Sequence, residues 1–161
     1  MVSCVFPGSF DPVTNGHLDL IRRAGGLFDR VTVTVMYNVH KQGTIPVDQR
    51  VELLQKACFS FPNVRIDRWD GLLADYMRMK DEKIVIRGLR GSLEAEQEML
   101  SSNANKILND RIETLFMPTD AGLMGVSSSA VREIYSFGGD ISSFVPEEIT
   151  EEIKMLLSKK K

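Results

Sequence analysis

Residues 2–37, VSCVFPGSFDPVTNGHLDLIRRAGGLFDRVTVTVMY, contain two β-branched stretches separated by a loop and an amphipathic stretch. Residues 2–6 and 30–37 have the composition of strands, whereas the apolar positions in residues 15–27 have helical spacing. A strand, a helix and a second strand in this order form two parallel strands joined by a right-handed crossover. The stretch therefore predicts the first βαβ unit of a parallel sheet.

The same alternation continues to the end of the chain. Further strands are predicted at 64–69, 83–86 and 113–117, and further helices at 47–59, 72–80, 93–109, 128–137 and 146–157. Ser92 is expected to cap the fourth helix, and Pro146 is expected in the first turn of the last one. The order predicts an α/β fold, a single Rossmann-like domain over residues 1–161. We expect a five-stranded parallel sheet with helices on both faces, and C-terminal helices of about 128–158 packing on the core.

Composition limits the classes of function. The 161 residues are 43% hydrophobic and 26% charged, as in a soluble globular domain, and the net charge of −2 argues against a nucleic-acid partner. No apolar stretch reaches the roughly 18–20 residues of a membrane span, and no signal peptide is evident. We therefore expect a cytoplasmic protein without a membrane partner. Its two cysteines, Cys4 and Cys58, are expected to be buried reduced thiols.

Ligands of open parallel sheets bind beyond the carboxyl ends of the strands, so the residues that follow each strand are the candidates for a site. The first strand leads into G-S-F-D-P-V-T-N-G-H, residues 8–17. Its glycines let backbone amides approach an anion, and His17 falls in a helical first turn, where free N–H groups favour phosphate. This loop predicts a phosphate site; the alternative is a plain turn in which Asn15 caps the helix.

Two further strands end in residues suited to phosphate. The sequence R-G-L-R, residues 87–90, follows the predicted strand 83–86. The guanidinium group of an arginine can donate two parallel hydrogen bonds to one phosphate. The sequence V-S-S-S-A-V-R, residues 126–132, follows the strand 113–117 and opens a helix. Its serines are either ordinary caps or, together with the helix amides, phosphate ligands. The three segments predict a three-sided anion site.

The loop at 8–17 resembles the T-x-G-H signature of the nucleotidyltransferase superfamily. More narrowly, it resembles the G-[ST]-F-D-P-x-T-N-G-H motif of bacterial phosphopantetheine adenylyltransferases, and I-R-G-L-R and V-S-S-S-x-V-R are similar to two further motifs of that family. The resemblance covers essentially the whole chain. It implies reversible adenylyl transfer from ATP to 4′-phosphopantetheine, giving dephospho-coenzyme A and pyrophosphate in coenzyme A biosynthesis. It also implies Mg²⁺ as cofactor and a homohexamer.

The resemblance also implies roles for individual residues. Catalytic roles fall to His17, Lys41 and Arg90, with His17 stabilising charge on the transferring phosphorus. The implied ATP-binding residues are Ser9, Phe10, His17, Gly88, Leu89, Arg90, Glu98, Leu123, Met124, Gly125, Val126, Ser127, Ser128 and Ser129. The implied phosphopantetheine contacts are Ser9, Lys41, Leu73 and Arg87. The sequence has no carboxylate cluster for a dedicated metal cage, so Mg²⁺ is expected mainly on substrate oxygens.

The implied chemistry needs no general base. The acceptor is a phosphate monoester, whose second pKa of about 6 leaves it largely ionised at neutral pH. The sequence accordingly has no Ser-His-Asp set, no cysteine nucleophile motif and no histidine cluster for zinc. We expect direct in-line attack with charge stabilisation and no covalent intermediate.

The chain departs from the commoner family pattern at two places, and other functions fit parts of it. The first loop hydroxyl is Ser9, where the family more commonly has Thr, which keeps the oxygen. After the second motif the family commonly has Phe and Tyr, whereas this chain has Ala95 and Gln97. An adenylyltransferase for nicotinamide or nicotinate mononucleotide shares two of the motifs, and a cytidylyltransferase, whose third motif usually reads R-T-x-G-I-S-T-T, fits less well. A nucleotide-binding module without chemistry is the alternative of another class. His40 has no motif to support a role and is expected on the surface.

Overall fold

A computed structural model describes residues 1–38, 40 and 43–159. Within them the strands are β1 (Ser3–Gly8), β2 (Arg30–Tyr37), β3 (Val64–Asp70), β4 (Ile84–Leu89) and β5 (Glu113–Pro118). All neighbouring strands are parallel, and their order is β3-β2-β1-β4-β5. The predicted five-stranded parallel sheet is thus confirmed. Strand order reverses at β1, so the crevice for a ligand lies between the ends of β1 and β4.

The helices follow the strands as expected. They are α1 (Asn15–Gly25), α2 (Val47–Ala57), α3 (Leu73–Met79), α4 (Ser92–Leu108), α5 (Ser128–Ser136) and α6 (Thr150–Ser158), with short 3-10 turns at Ala121–Leu123 and Glu147–Ile149. Among the described residues, no helix is long and apolar enough to cross a membrane.

The single helix predicted over 146–157 is wrong in its first turn. Residues Glu147–Ile149 form a 3-10 turn, and α6 begins only at Thr150. The backbone N–H of Ile149 donates to the Pro146 carbonyl at 3.2 Å, and the Thr150 hydroxyl donates to the same oxygen at 3.0 Å. The backbone bond joins residues three apart instead of four, so this turn is wound more tightly than an α-helix.

The predicted cap of α4 is also wrong, and the alternative in which Asn15 caps α1 does not hold. Gly91 precedes α4 in extended backbone without a side-chain cap, and Ser92 lies inside the helix. The carboxylate of Glu94 instead accepts from the backbone N–H of Arg90 at 2.8 Å. Thr14, not Asn15, caps α1, with its hydroxyl accepting from the N–H of His17 at 3.4 Å.

The core lies on both faces of the sheet. The larger cluster joins the inward valines of β2 to α1, α5 and α6, and includes Val33, Ile21, Val131, Ile153 and Leu157. The smaller cluster, on the other face, joins Val5 and Val85 to Tyr76 and Met77 of α3. Cys4 and Cys58 are buried free thiols, as predicted.

Candidate active site

The reversal of strand order places the ends of β1, β4 and β5 around one cavity of about 240 Å³. The cavity has three walls: the loop after β1, the end of β4 with the start of α4, and the segment leading into α5. Its lining residues are Phe6, Pro7, Gly8, Ser9, Phe10, Thr14, Gly16, His17, Leu20, Arg87, Gly88, Arg90, Glu94, Glu98, Thr119, Val126, Ser127, Ser128 and Ser129. The three predicted motifs therefore meet at one site.

A second cavity of similar volume, about 240 Å³, adjoins the first. The two share five lining residues: Pro7, Gly8, Ser9, Arg87 and Glu98. The second cavity is otherwise lined by Met36, Leu73, Val85, Ser101, Ser102, Asn105 and Thr114. One cavity is thus rich in phosphate-binding groups, the other mixes apolar and hydroxyl side chains, and the shared residues mark the junction.

The loop between β1 and α1 is fixed by side chains of other elements. Three of its carbonyl oxygens, and that of Pro7 near the end of β1, accept bonds of 2.5 to 2.9 Å. The donor and acceptor pairs are Arg87 to Pro7, Arg50 to Ser9, Arg132 to Asp11, and Ser128 to Pro12. The Ser9–Phe10 peptide is trans, so its N–H points away from the Ser9 carbonyl and from Arg50.

His17 is held as a neutral imidazole. Its Nδ1 accepts from the backbone N–H of Thr14 at 3.1 Å, completing a reciprocal cap with the Thr14 hydroxyl. A backbone N–H can only donate, so Nδ1 carries a lone pair and the ring proton lies on Nε2. Burial, together with the positive charges of Arg90 and Arg87, lowers the pKa of His17 to about 4. At neutral pH the ring is an uncharged N–H donor.

Phe10 fixes the orientation of that ring. It is only 1% exposed and packs edge-on against His17, with ring centroids 4.9 Å apart. On its other side it meets Phe6 at 5.8 Å. A Cβ at Gly8 would lie 3.0 Å from the Phe10 ring, so glycine permits this close approach. Phe10 has a φ of 47°, in the left-handed region.

The wall formed by β4 and α4 consists of two arginine–glutamate pairs. Arg87 donates to both carboxylate oxygens of Glu98, from Nε at 2.7 Å and Nη2 at 2.6 Å. Arg90 pairs with Glu94 at 2.7 Å, four positions further along the chain. The hydrogen bonds from Arg90 lower the pKa of Glu94, which therefore stays ionised.

The structure corrects the end of the fourth strand. The sequence predicted residues 87–90 as a loop after a strand at 83–86, whereas β4 continues to Leu89 and pairs with β5 as far as Pro118. Gly88 lies in this extension, and a Cβ there would meet the Leu20 side chain at 2.4 Å. Glycine at this position lets α1 pack directly against the strand.

The serines of the third wall have separate tasks. Ser127 caps α5, with its hydroxyl accepting from the Ala130 N–H at 3.1 Å. The Ser128 hydroxyl donates to the Pro12 carbonyl at 2.7 Å and so braces the first loop. All three serines line the first cavity at a helix N-terminus, which is a favourable place for phosphate.

The predicted site residues mostly converge. Ten of the fourteen predicted ATP residues line the first cavity, and Leu73 lines the second. The lining of both cavities, as described here, does not include Leu89, Leu123, Met124 or Gly125. Lys41 lies outside the described residues. His40 is exposed, and its backbone N–H donates to the Asn38 side chain at 2.8 Å.

Sequence reasoning missed several residues of the site. Glu94 was not among the predicted site residues, although its position four residues after Arg90 is typical of a helical ion pair. Thr14 and Thr119 line the first cavity, and Thr14 could have been found as a cap three positions before His17. Asp11 lies within the first motif but was given no role, and Arg50 had no local signal.

Comparison with known proteins agrees with this geometry. Residues 5–134 match the sequence profile of the cytidylyltransferase-like family. A Finegoldia magna protein named phosphopantetheine adenylyltransferase is 47% identical over 156 residues, 97% of this chain and 96% of the relative. The chain belongs to the phosphopantetheine adenylyltransferase family. Proteins of the same name from Clostridium perfringens and Clostridium tetani are 41% and 44% identical, covering 96% and 92% of this chain and 94% and 93% of their own lengths.

The match to the family extends over the whole site. The profile match contains all three motif segments, and the curated relatives align over nearly their full length. The resemblance stated from the motifs is therefore confirmed at the level of the family.

Proposed function

We propose that this protein transfers the adenylyl group of ATP to 4′-phosphopantetheine, releasing pyrophosphate and forming dephospho-coenzyme A. The observation that carries this proposal is the pair of adjoining cavities with Ser9 and Arg87 at their junction. The first cavity suits a polyphosphate, and the second suits the partly apolar arm of phosphopantetheine. The reacting oxygen and the α-phosphorus would meet where the cavities join.

His17 would stabilise the transferring phosphorus as an uncharged hydrogen-bond donor. Its Nδ1 is occupied by Thr14, so the Nε2–H is the group available to an equatorial phosphate oxygen. A donor fixed before reaction stabilises developing charge without reorganisation, which is the main source of catalysis when a phosphoryl centre is attacked in line.

The arginines would reduce repulsion between the two anionic substrates. Arg87 lines both cavities, and Arg90 lines only the first. We assign Arg87 to the acceptor phosphate and Arg90 to ATP. Lys41 is proposed to neutralise charge between the substrates, on the family resemblance.

No general base is assigned. Glu94 and Glu98, the carboxylates in the lining of the first cavity, are both bound to arginine. The acceptor phosphate, with a second pKa of about 6, is already ionised at neutral pH. Direct attack without a covalent intermediate is therefore proposed.

Mg²⁺ is proposed to be held on the phosphate oxygens of ATP. The described residues contain no group of three or more His, Cys, Asp or Glu side chains placed to hold a metal. The two carboxylates in the lining of the first cavity are engaged with arginines, which favours substrate oxygens as the main ligands of the ion. The ion would neutralise charge on the polyphosphate.

A homohexamer in the cytoplasm is proposed as the working form. Helix α4 buries no residue within the protomer, and Leu93, Leu100 and Ile107 on it are between 71% and 85% exposed. Apolar exposure of this extent on one helix fits a subunit interface. Light scattering should give six times the 18.1 kDa chain mass; a monomer at micromolar concentration would contradict the proposal.

The proposed activity is tested by incubating the protein with ATP, Mg²⁺ and one acceptor at a time while following pyrophosphate. Phosphopantetheine should release pyrophosphate, whereas nicotinamide mononucleotide and nicotinate mononucleotide should not. Release only with a mononucleotide would favour that alternative. ATP binding without pyrophosphate from any acceptor would favour a non-catalytic module.

A further inference from the structure

Asp11 and Arg50 are charged side chains buried behind the loop that lines the first cavity. Asp11 is 8% exposed and Arg50 is 5% exposed. Neither belongs to the lining of the two cavities as described. Burying a charge is costly unless it is paired and hydrogen-bonded, so the partners of these side chains indicate what they hold in place.

Arg50, on α2, holds one peptide of the loop. Its Nη1 donates to the carbonyl oxygen of Ser9 at 2.9 Å. The Ser9–Phe10 peptide is trans, so the Phe10 N–H points away from that carbonyl. Ser9 and Phe10 line the first cavity and Arg50 lies behind them, so the bond directs the Phe10 N–H into the cavity.

Asp11 holds a different segment to the same loop. Its Oδ2 accepts from the backbone N–H of Thr44 and its Oδ1 from that of Ile45, both at 2.7 Å. Thr44 and Ile45 lie directly ahead of α2, the helix that carries Arg50. Asp11 therefore anchors the backbone that leads into α2 to the loop that precedes His17.

The two charged groups meet at Gly43. A Cβ on Gly43 would lie 3.0 Å from Nη2 of Arg50 and 3.0 Å from Oδ2 of Asp11. The attraction of Asp11 opposes the effect of burial, which lowers the pKa of Arg50. Arg50, Asp11 and the backbone at Gly43 thus form one unit beneath the site.

We infer that Asp11 and Arg50 are positioning residues for adenylyl transfer. Arg50 sets the Phe10 N–H towards the phosphates of ATP, and Asp11 ties the same loop to the backbone that leads into α2. The inference rests on the proposed function. The two contacts act on one loop, because Arg50 orients the Ser9–Phe10 peptide and Asp11 fixes the next residue against Thr44 and Ile45.

The test compares Arg50→Met, Arg50→Lys and Asp11→Asn with the unaltered protein, using ATP and phosphopantetheine. Arg50→Met should lower kcat about 10- to 100-fold and weaken ATP binding in calorimetry, because misplacing a site by about 1 Å costs that much. Arg50→Lys, which keeps a donor, should recover part of the loss. Asp11→Asn, which replaces one accepting oxygen with an NH₂ group that cannot accept, should lower kcat about 10-fold.

Leu53→Ala is the matched control for a merely structural role. Leu53 is fully buried on the same helix α2, and its loss destabilises the fold through a cavity. At a temperature where every variant is folded, Leu53→Ala should leave kcat and both KM values within about 2-fold. Equal activity losses in Leu53→Ala and Arg50→Met at matched melting temperatures would overturn the inference.

The proposed function and the inference fail in different ways. An active unaltered protein with unchanged constants in Arg50→Met and Asp11→Asn would overturn the inference alone. An unaltered protein that binds ATP but releases no pyrophosphate would overturn the proposed function. In that case ATP affinity decides: weaker binding by Arg50→Met than by Leu53→Ala supports the positioning role, and equal binding overturns it.

Discussion

Two walls of the first cavity offer similar polar groups but are built differently. The loop from Gly8 to His17 is braced by side chains of α2 and α5, and its Phe10 is only 1% exposed. The wall of β4 and α4 depends on two ion pairs whose side chains are 16% to 37% exposed. Helix α4 buries no residue in the described chain.

The loop from Gly8 to His17 is therefore a preformed wall, whereas the wall of β4 and α4 is an adjustable one. Backbone groups held by hydrogen bonds from other elements keep their orientation before a ligand arrives, as electrostatic catalysis requires. Part-exposed ion pairs contribute only about 0–1 kcal/mol, and the guanidinium group of arginine fits phosphate as well as carboxylate. In the proposed function, ATP would therefore take Arg90 from Glu94 at small cost, whereas the loop with His17 would need no rearrangement.

The largest expected effect is on the preformed wall. His17→Ala should lower kcat about 10²- to 10³-fold, as loss of one fixed donor to a transition state does, with only a modest change in ATP affinity. Pyrophosphate release and calorimetry measure the two quantities. His40→Ala, at the exposed second histidine, is the matched control and should keep normal turnover. Near-normal turnover in His17→Ala would remove His17 from the mechanism.

The next largest effect is expected on stability, at the contact between Gly88 of β4 and Leu20 of α1. Gly88→Ala would place a Cβ 2.4 Å from the Leu20 side chain, so overpacking should lower the free energy of unfolding by about 1–3 kcal/mol. Gly125→Ala, where a Cβ meets nothing within 4 Å, is the control and should change it by less than about 0.5 kcal/mol. Urea denaturation measures both. Equal stability of the two variants would show that the Leu20 side chain moves aside at no cost, against close packing of α1 on β4.

The fixed tautomer of His17 predicts a pH dependence of stability. Its folded pKa of about 4 lies below the ordinary value of 6.5, so the unfolded chain binds more protons between these values. The contribution of His17 to stability is therefore complete above pH 6.5 and falls as pH drops towards 4. At pH 4.5 the loss should be about 2 kcal/mol relative to pH 7.5.

Comparison with His17→Asn isolates this effect, because the other titrating groups are common to both proteins. The difference in unfolding free energy between the two should shift by that amount between pH 7.5 and 4.5. A constant difference would show that the imidazole is charged or free to change its partner.

The smallest expected effect concerns the adjustable wall. Glu94→Gln removes the carboxylate that competes for Arg90, so ATP binding should tighten by up to about 5-fold, or about 1 kcal/mol. Glu96→Gln removes the same charge from an exposed residue of the same helix, and it is the control for long-range effects of net charge on ATP binding. Tighter binding in both variants to the same degree, or weaker binding in Glu94→Gln, would contradict an adjustable ion pair.

Sequence patterns predicted the elements whose signals are local. The alternating valines of β2 gave bounds that the structure reproduces, Arg30–Tyr37. β4 extends past its prediction because Arg87 and Leu89 pair with β5, and such pairing leaves no mark in the strand itself. The 3-10 turn before α6 depends on two bonds to one carbonyl, which helical spacing does not encode.

The residues of the site also divide into those that have a local sequence signal and those that have none. The motifs identified His17, Arg87 and Arg90 because these residues lie in recognisable sequence motifs at the carboxyl ends of the predicted strands. Arg50 was not predicted, since it reaches the loop from 41 positions away and looks like any charged residue of an amphipathic helix. Positioning residues of this kind emerge only from the folded arrangement.

The central claim, direct adenylyl transfer at a preformed loop, is tested most directly by exchange of labelled pyrophosphate into ATP. With ATP, Mg²⁺ and labelled pyrophosphate alone, the account predicts no labelled ATP, because no adenylyl–protein intermediate forms. Adding dephospho-coenzyme A should start the exchange, since the reverse reaction then regenerates ATP. Labelled ATP in the absence of any acceptor, or none after dephospho-coenzyme A is added, would contradict it.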